Sequence, residues 1–397
     1  MNNKAIKKVA AITSHPIPYQ SPIFQAIAQQ PDVDLTVYFG CDYGTNPTKI
    51  HPGFNKAFAW DIPLLDGYKY VFLKGSKPDI GVNDWRMDGP ELKSYFESND
   101  YDGVIVFGWN KVLFWQAIWW AKRYNIPLIL RAESNLKNGQ SWLKKRIKSF
   151  LFPILFKQFK AFMSIGSHNA ELYRHFGVDP VSIHDAPYCV DNEFFASRAA
   201  NSVMEASKLR FELGIPENDT VFLFVAKYID RKRPLDLISA ALMNKEHCNF
   251  HVILVGGGEL TEVCQGAITA NQLDNVHLVG FINQKELPTY YAAADVFVLP
   301  SNYETWGLVL NEAMACGLPG IVSDTCGATQ DMIIEGETGY SYPMGDVRQL
   351  ATLMALMAGG TDNCQQMGLR AAEHMQNFSV SIVVSALNNI LQRITQK

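Results

Sequence analysis

The chain of 397 residues lacks the features that mark several broad classes of protein. Its seven cysteines form no Cys-x-x-Cys pair and no zinc-like spacing, a usage that fits reduced thiols in the cytoplasm. No uncharged apolar run is long enough to span a bilayer, and the first apolar run, 9–13, is too short for a signal peptide. The net charge of −4 lacks the basic excess that is usual in nucleic-acid-binding proteins. We therefore expect a cytoplasmic protein that binds no nucleic acid.

Short apolar runs and helical patterns alternate along two successive stretches of the chain. A hydrophobic content of 48% in 397 residues supports two domains, each with its own core. The alternation predicts an α/β fold in which each domain is a doubly wound, Rossmann-like parallel sheet. Two such domains facing across a cleft would bring ligands to the carboxyl ends of their strands. The predicted strands are 9–13, 35–39, 103–107, 127–130, 161–165, 220–226, 250–255, 276–279 and 295–299, and the predicted helices are 20–30, 112–124, 168–176, 235–242, 285–293, 308–316 and 347–357.

The break between the two stretches predicts the domain boundaries. Residues 191–216 are polar and weakly periodic, and we place a linker near 192–207. The N-terminal domain is then 1–195, and the C-terminal domain is 208–378. The last segment, 379–397, has an amphipathic helical pattern, and we expect it to complete the N-terminal domain.

Two glutamates in the segment 301–319 carry the strongest functional signal. A buried strand leads into a loop with Glu304, and the helix that follows carries Glu312 and ends at Gly317. Carboxylates can bind the hydroxyls of a sugar nucleotide, while the N-terminus of a helix attracts its phosphates. The alternative is a loop acid followed by a solvated helix face. The other residues of this loop–helix junction that we expect to bind the ligand are Thr305, Trp306, Gly307 and Leu308.

Four cations, Lys227, Arg231, Lys232 and Arg233, lie between an apolar strand and a helix. Positive charge in such a loop can neutralise a diphosphate, and it stabilises the charge that grows when a glycosyl–phosphate bond breaks. We expect Lys227 and Lys232 to face the ligand and the two arginines to point outward or to be structural. The alternative is a solvated basic loop.

Two further turns complete the expected binding surface. Gly257 lies in a run of three glycines after a strand, where the backbone can approach a ligand closely. The run is not a dinucleotide fingerprint, because Thr261 stands where the last glycine is required. Phe281 and Ile282 follow the next strand and could present backbone groups to a nucleobase, although a plain turn explains them equally well.

Together these motifs resemble the retaining glycosyltransferases of family 4, which have the GT-B fold. The segment with Glu304 and Glu312 ends in an Ala-x-Gly-x-Pro run that looks like the family's hallmark. Residues 226–232 resemble its Gly-Arg-Leu-x-x-x-Lys loop, with alanine and lysine in place of the first two residues. Residues 188–194 resemble its interdomain segment Pro-x-x-x-Asp-x-x-x-Phe. The resemblance is specific from about residue 161 to residue 340.

The resemblance implies that a sugar is transferred, with retention, from a UDP- or GDP-sugar to a glycan or lipid-linked acceptor, as in bacterial polysaccharide synthesis. Glu312 would bind the ribose, and Glu304 would orient the sugar. Lys227 and Lys232 would stabilise the leaving diphosphate, so that no metal and no further cofactor is required.

The N-terminal half departs from that family. Its first loop lacks the usual glycine, and residues 131–135 lack the histidine that many members have near the reacting sugar. Glu133 takes the place of that histidine, or the role is absent. The residues that we expect on the acceptor side are His15, Tyr19, Gln20 and Glu133.

A basic segment with aromatic side chains, 137–160, predicts contact with an anionic membrane surface. It holds seven cations, and no acid lies between Glu133 and Glu171. Such contact would make the protein peripheral on the inner membrane face and would favour a lipid-linked acceptor. The alternative is a core-packed helix with a solvated basic face.

Several other residues are expected to be structural. The Asp-x-Asp motif at 32–34 lies at a turn before a strand, where we expect a surface pair rather than a metal site. Trp115, Trp119 and Trp120 form a helical stripe that we expect to be buried in the core. Three histidines without partner spacing are also expected to be structural, namely His168, His184 and His247.

Other functions fit the same architecture. A sugar-nucleotide epimerase would convert its substrate without an acceptor, and a phosphorylase is a related possibility. A non-catalytic protein would bind UDP or GDP without turnover. A nicotinamide-dependent dehydrogenase is the most distant alternative and would require binding of that cofactor.

Overall fold

The protein consists of two compact units. The computed structural model describes residues 6–51, 56–76, 80–136, 142–246 and 249–395. The first unit comprises Met1–Lys49, Phe58–Tyr188 and Ser379–Lys397, and the second comprises Ile50–Ala57 and Cys189–Phe378. Each unit has its own parallel sheet and its own hydrophobic core. The prediction of two Rossmann-like α/β domains is therefore confirmed.

The first unit is built on a sheet of seven parallel strands. Strands in the first half of the chain are β1 Lys7–Thr13, β2 Val33–Phe39, β3 Ile50–His51, β4 Lys56–Ala57, β5 Lys69–Phe72, β6 Gly103–Val106, β7 Leu128–Leu130, β8 Ala161–Ser164 and β9 Ile183–Asp185. Helices in this half are α1 Ser21–Ala28, α2 Leu92–Ser98, α3 Val112–Arg123, α4 Trp142–Phe156 and α5 Ser167–His175. The sheet has the order β5-β2-β1-β6-β7-β8-β9, while β3 and β4 form a separate antiparallel pair.

The position of β1 in this sheet creates a crevice at the carboxyl ends of the strands. From β1 the chain first adds β2 and β5 on one side and then returns to add β6 on the other. Residues 9–13 of β1 and all of β6 are buried, as expected for apolar strands that are covered on both faces. Doubly wound sheets bind ligands where the strand order reverses, which is here at the carboxyl ends of β1 and β6.

The second unit is built on six parallel strands. Its strands are β10 Thr220–Val225, β11 Phe250–Val255, β12 Val276–Gly280, β13 Val296–Leu299, β14 Gly320–Ser323 and β15 Gly339–Tyr342, in the order β12-β11-β10-β13-β14-β15. Its helices are α6 Asn192–Asn201, α7 Val203–Glu212, α8 Pro234–Asn244, α9 Thr261–Ala270, α10 Leu287–Ala292, α11 Leu308–Ala315, α12 Thr329–Met332, α13 Val347–Ala358 and α14 Thr361–His374. The strand order reverses between β10 and β13.

The stretch 192–207 is helical, so its interpretation as a linker is wrong. Asp191 caps α6 by accepting a hydrogen bond from the amide of Phe194 at 3.0 Å. The side chain of Asn192 donates to the carbonyl of Met375 at 3.0 Å and so fixes the start of the helix to the second unit. The sequence pattern is weak here because α7 exposes apolar residues such as Phe211, which is 83% exposed.

The last helix, α15 Val380–Thr395, packs in the first unit, far along the chain from the strands that it covers. Val383, Leu387 and Ile390 are buried on one face of this helix. Leu391 lies close to Gly103 at the start of β6, where a Cβ atom would be 3.5 Å from it. The amphipathic pattern of the segment thus corresponds to a core-facing helix.

Candidate active site

The loops after β10 and β13 meet because these strands are neighbours in the sheet. The loop after β10 contains a short 3-10 turn, Asp230–Lys232, and leads into α8, while the loop after β13 leads into α11. A backbone hydrogen bond joins them, from the amide of Asn302 to the carbonyl of Arg231 at 2.8 Å. The two loops thus lie at the point of the second sheet where a ligand is expected.

Glu304 is held by two cations from the neighbouring loop. Lys232 Nζ contacts Oε1 of Glu304, and Arg231 NH1 lies 3.1 Å from Oε2. The side chains of Glu304 and Lys232 are only 9% and 13% exposed, whereas that of Arg231 is 46% exposed. Arg231 also donates to the carbonyl of Tyr303 at 2.9 Å. We expected Arg231 to point outward or to be structural, and the structure shows it partly exposed and paired with the carboxylate of Glu304.

Lys227 belongs to the same group of cations. Burial lowers the pKa of Lys227, and the nearby charges of Lys232 and Arg231 lower it further. Three positive charges therefore act on one region, an arrangement that a bound polyanion would stabilise. Arg233 is different, because it forms a two-bond ion pair with Asp236 on α8, at 2.6 and 3.0 Å. Its role is structural, which was one of the two roles expected for it.

The loop with Glu304 is supported by the loop that follows β14. The amide of Gly327 donates to the carbonyl of Glu304 at 3.1 Å, and the amide of Ala328 donates to that of Trp306 at 3.0 Å. A Cβ atom at Gly327 would lie 2.1 Å from the carbonyl oxygen of Thr305, so this close approach requires glycine. The sequence analysis did not predict this contact between the two loops. The glycine that follows the apolar strand β14 is the feature that could have indicated it.

The ring of Trp306 is a packing group. Trp306 is 3% exposed, and its Nε1 donates to Oδ1 of Asn311 at 2.8 Å. The ring also lies 6.0 Å from that of Phe378. A ring so enclosed exposes little surface to a ligand, and the predicted contact of Trp306 with the donor stays a prediction. The ring fixes the start of α11.

The junction of loop and helix offers an anion site. Gly307 is the N-cap of α11 and has a φ of 113°, a left-handed conformation that favours glycine. Thr305, Gly307 and Leu308 are partly exposed. The amides in the first turn of a helix have no acceptor within it and attract negative charge. These three predicted residues therefore lie where a phosphate could bind.

Glu312 is a buried carboxylate with a tyrosine partner. It is 8% exposed, and the hydroxyl of Tyr291 donates to its Oε2 at 2.7 Å. Burial raises the pKa of Glu312 to about 7, although hydrogen bonds from Tyr291 and Gln284 act in the opposite direction. Further hydroxyl donors from a ligand would favour the ionised form. Tyr291 and Gln284 are site residues that the sequence did not reveal.

The turn after β12 reaches this carboxylate. Gly280 has a φ of 81°, and Phe281 and Ile282, which follow it, are partly exposed. The same turn contains Gln284, which hydrogen-bonds to Glu312. The predicted residues Phe281 and Ile282 thus lie on a loop that the structure brings to α11.

The glycine run after β11 packs against the cationic loop. A Cβ atom at Gly256 would lie 1.9 Å from the carbonyl oxygen of Ala226, and one at Gly258 would lie 2.6 Å from that of Tyr228. A Cβ atom at Gly257 would meet no atom within 4 Å. The outer two glycines therefore allow the chain to pass close to the loop, while the predicted Gly257 faces open space.

The crevice of the first unit is a pocket of about 350 Å³. It is lined from the loops after β1, β6 and β7, as the reversal of strand order requires. All four residues predicted for the acceptor side line it, namely His15, Tyr19, Gln20 and Glu133. Sequence reasoning missed other lining residues, among them Asn83, Trp109, Asn110 and Lys111.

Tyr19 and Glu133 form the polar centre of this pocket. The hydroxyl of Tyr19 donates to Oε1 of Glu133 at 3.0 Å, across 114 residues of sequence. Asn169 on α5 holds the loop with Glu133 by donating to the carbonyls of Ala132 and Ser134, at 3.0 and 2.7 Å. The carboxylate therefore has a fixed position in a space that is open to a ligand.

The other two predicted pocket residues differ in their exposure. Gln20 is 4% exposed and accepts a hydrogen bond from Thr13 at 3.1 Å, so its side chain mainly fixes the loop. His15 is partly exposed, and its Nδ1 lies 2.8 Å from Oγ of Ser14. Of the two, His15 is the better placed to contact a ligand.

The remaining predictions have mixed outcomes. Trp115 and Trp119 are 50% and 68% exposed, so the expectation that they are buried is wrong. Asp34 forms a surface ion pair with Lys69 at 2.7 Å. His168 is buried against Glu171, at 3.2 Å. His247 and residues 137–141 lie outside the described residues.

Within the described part of the chain, no group of side chains could hold a metal ion, and no helix is long and apolar enough to cross a membrane.

Solved glycosyltransferases share this fold. The chain superposes on Anabaena HepE in complex with UDP with a TM-score of 0.72 and 19% identity, over 98% of this chain and 100% of that one. It superposes on a glycosyltransferase from Rickettsia africae with a TM-score of 0.73 and 15% identity, over 99% of both chains. The two units are thus those of the GT-B fold.

The second unit also shows a family relationship. Residues 205–374 match the profile of the family Glycosyl transferases group 1. The chain is 28% identical to D-inositol 3-phosphate glycosyltransferase of Corynebacterium diphtheriae over 228 residues, which are 55% of this chain and 52% of that protein. It is 28% identical to N-acetyl-alpha-D-glucosaminyl L-malate synthase of Bacillus anthracis over 188 residues, 47% of this chain and 49% of that protein. The chain thus spans about half the length of these curated relatives.

Proposed function

We propose that this protein is a retaining glycosyltransferase that moves a sugar from a nucleotide diphosphate sugar to a glycan or lipid-linked acceptor. The contact of Glu304 with Lys232 and Arg231, beside the N-terminus of α11, is the observation that carries this proposal. It sets a carboxylate for sugar hydroxyls next to cations and amides for a diphosphate. These residues lie within the segment that matches the group 1 family.

The cations are proposed to assist departure of the diphosphate. Negative charge grows on this leaving group as the glycosyl–phosphate bond breaks, and fixed cations stabilise it more than they stabilise the bound substrate. Lys227, Arg231 and Lys232 supply three positive charges for this purpose. Because they do so, we propose a reaction that uses no metal and no further cofactor. Retention of configuration and membership of family 4 are proposed on the resemblance of the motifs alone.

Glu312 is proposed to bind the ribose of the donor. Its carboxylate, already held by Tyr291, would accept hydrogen bonds from the two ribose hydroxyls. The solved complex of the structurally similar HepE with UDP supports a uridine nucleotide as the first donor to test. A GDP-sugar is the second.

The pocket of the first unit is proposed to bind the acceptor. Tyr19, His15 and Glu133 present a phenol, an imidazole and a carboxylate to one space, and such groups can position an acceptor hydroxyl. The proposed setting is bacterial polysaccharide or lipid-linked glycan synthesis in the cytoplasm, with the protein peripheral on the inner membrane face.

A thermal-shift panel of UDP-, GDP- and ADP-sugars tests the donor site. We expect a UDP-sugar to raise the melting temperature, since a ligand that binds only the folded state stabilises it. Glu312→Ala should weaken its binding about 10- to 100-fold, because a charged hydrogen-bond acceptor is lost. Glu373→Ala, an exposed site on α14, is the matched control.

Three results would contradict the proposal. One is the absence of stabilisation by any nucleotide sugar. Another is unchanged affinity of the Glu312→Ala variant by calorimetry. The third is conversion of the donor into another sugar nucleotide without an acceptor, which would identify an epimerase.

A further inference from the structure

Helix α4 carries two apolar stripes, and only one of them is buried. Phe152, Leu155 and Phe156 pack into the core of the first unit. The members of the other stripe recur every three or four residues and so share one face of the helix. They are Ile147, Phe150, Leu151 and Ile154, which are 50%, 70%, 51% and 51% exposed. A helix that only covers a core needs a single apolar stripe, so the outer one calls for a different partner.

Helix α3 exposes two tryptophans, and a residue just before it contacts α4. The ring of Trp109, just before α3, packs 5.2 Å from that of Phe152 on α4. Trp115 and Trp119 are one helical turn apart and are 50% and 68% exposed. We use the name α3–α4 face for these two tryptophans together with the outer stripe of α4.

The sequence segment that contains α3 and α4 differs in charge from the rest of the chain. Residues 103–170 contain eleven lysines and arginines and one acid, Glu133. The remainder of the chain then has a formal charge of −14, within a total of −4. Arg146 is exposed on α4 itself, and Lys157 and Lys160 are exposed just after it. An apolar face with exposed cations on the same helix and just after it is complementary to a surface that is apolar inside and anionic outside.

We propose that the α3–α4 face binds to an anionic lipid bilayer and inserts its aromatic side chains among the headgroups. Tryptophan is enriched at this depth of a membrane because its ring is apolar while its N–H remains polar. Cations beside inserted apolar groups add attraction to anionic lipids. A protein partner would explain the apolar stripe, but it would not require the exposed cations Arg146, Lys157 and Lys160.

The location of the pocket gives this surface a role in the proposed reaction. Trp109, Asn110 and Lys111 line the pocket of the first unit and lead directly into α3. A bilayer bound at the α3–α4 face would therefore lie beside the pocket. On the basis of the proposed function, we infer that the acceptor is amphiphilic, with its polar group in the pocket and its lipid part in the membrane.

Sedimentation of the full chain with vesicles tests the membrane contact. We expect binding to phosphatidylglycerol-containing vesicles and little binding to pure phosphatidylcholine. The triple variant Arg146→Ser, Lys157→Ser, Lys160→Ser should weaken binding by a factor on the order of 100, given about 1 kcal/mol for each cation near the surface. The matched control removes three exposed cations of the second unit, by Lys208→Ser, Arg348→Ser and Arg370→Ser.

A second pair of variants tests insertion of the apolar side chains. Trp119→Ser combined with Phe150→Ser should weaken binding about tenfold or more, since both side chains leave water on insertion. Met204→Ser combined with Phe211→Ser is the control, because both residues are 83% exposed on α7 in the second unit. Brominated lipids should quench the tryptophan fluorescence of the bound wild-type protein.

The results separate this inference from the proposed donor site. Absence of vesicle binding would overturn the inference, as would equal losses in the α3–α4 variants and their controls. Lack of quenching by brominated lipids would also overturn it, because adsorption by charge alone requires no insertion. UDP-sugar binding, measured without lipid, should be the same in all these variants. Its failure would instead count against the donor site.

Discussion

Glu304 is a carboxylate that is nearly excluded from solvent and depends on its cationic partners. Removing one partner of a buried ion pair leaves a charge that is poorly compensated. Lys232 is shielded like Glu304, whereas Arg231 is about half exposed, so their contributions differ. A test of the two cations must therefore distinguish loss of charge from loss of structure.

Replacing Lys232 should reduce turnover more than replacing Arg231. We expect Lys232→Ala to lower kcat by a factor on the order of 10² to 10³, because a preorganised charge that stabilises the leaving group is lost. Arg231→Ala should lower it less, since water screens an exposed charge. Steady-state kinetics with a UDP-sugar measure kcat for both variants, and Lys208→Ala is the surface control. An unchanged kcat in a folded Lys232→Ala variant would exclude the proposed role.

Glu312 should make the stability of the unliganded protein depend on pH. Its pKa is raised from about 4.5 to about 7, so the folded state resists ionisation. The free energy of unfolding should thus fall as the pH rises from about 4.5 to about 7, by at most about 3 kcal/mol from this residue. Glu312→Gln removes the ionisation and still accepts a hydrogen bond from Tyr291. Its stability relative to the wild type should therefore be greater at pH 8 than at pH 5.

Urea unfolding at the two pH values measures this difference. Glu373→Gln, which changes an exposed glutamate of α14, controls for the loss of one negative charge. A pH-independent difference between Glu312→Gln and the wild type would show that Glu312 is not a strained buried carboxylate.

Among the elements of the second unit, the glycine turn after β11 supports the cationic loop. Gly256 has a φ of 145°, and its missing side chain leaves room for the carbonyl of Ala226. Gly256→Ala should lower the free energy of unfolding by roughly 2 to 4 kcal/mol, through backbone strain and overlap. It should also weaken nucleotide binding, because Lys227 follows Ala226 directly.

Gly257→Ala is the control that the chain itself provides. A Cβ atom there meets nothing within 4 Å, so the free energy of unfolding should change by about 0.5 kcal/mol or less. Weaker donor binding without loss of stability would place Gly257 against the ligand, as its sequence context predicts. Equal destabilisation by both substitutions would contradict the packing described for this turn.

The sequence predicted those strands and helices in which the pattern of apolar residues directly follows from which side chains are buried. Strands such as β10 and β11 are continuous apolar runs, because a central parallel strand is covered on both faces. The strands β14 and β15 were missed, since they are short and include glycine and serine. For α3, spacing placed two tryptophans on one face but could not show which face the core covers.

The candidate site was predictable where one short segment carries the chemistry. Glu304 and Glu312 share one loop and helix, and both lie at the site. The contact of Arg231 with Glu304 and that of Tyr291 with Glu312 were not predicted, because they join residues 73 and 21 positions apart in sequence. Such contacts follow from the order of strands in the sheet, which local patterns do not contain.

At the scale of the whole molecule, the stability of each unit depends on its own core. The first unit is assembled from segments at both ends of the chain, since α15 returns to it. Chains with two cores often unfold in more than one step. A ligand that binds residues of one unit should stabilise that unit in particular.

Calorimetry should therefore resolve two unfolding transitions that respond to different changes. Leu387 on α15 is fully buried, and Leu387→Ala should destabilise the first unit by about 2 to 5 kcal/mol through loss of packing and formation of a cavity. The second unit contains Glu304 and Glu312. A UDP-sugar should raise the midpoint temperature of that unit's transition in both the variant and the wild type. Leu369→Ala, at a site that is 73% exposed on α14, should leave both transitions nearly unchanged. A single transition that shifts as a whole with each change would show that the two cores unfold as one.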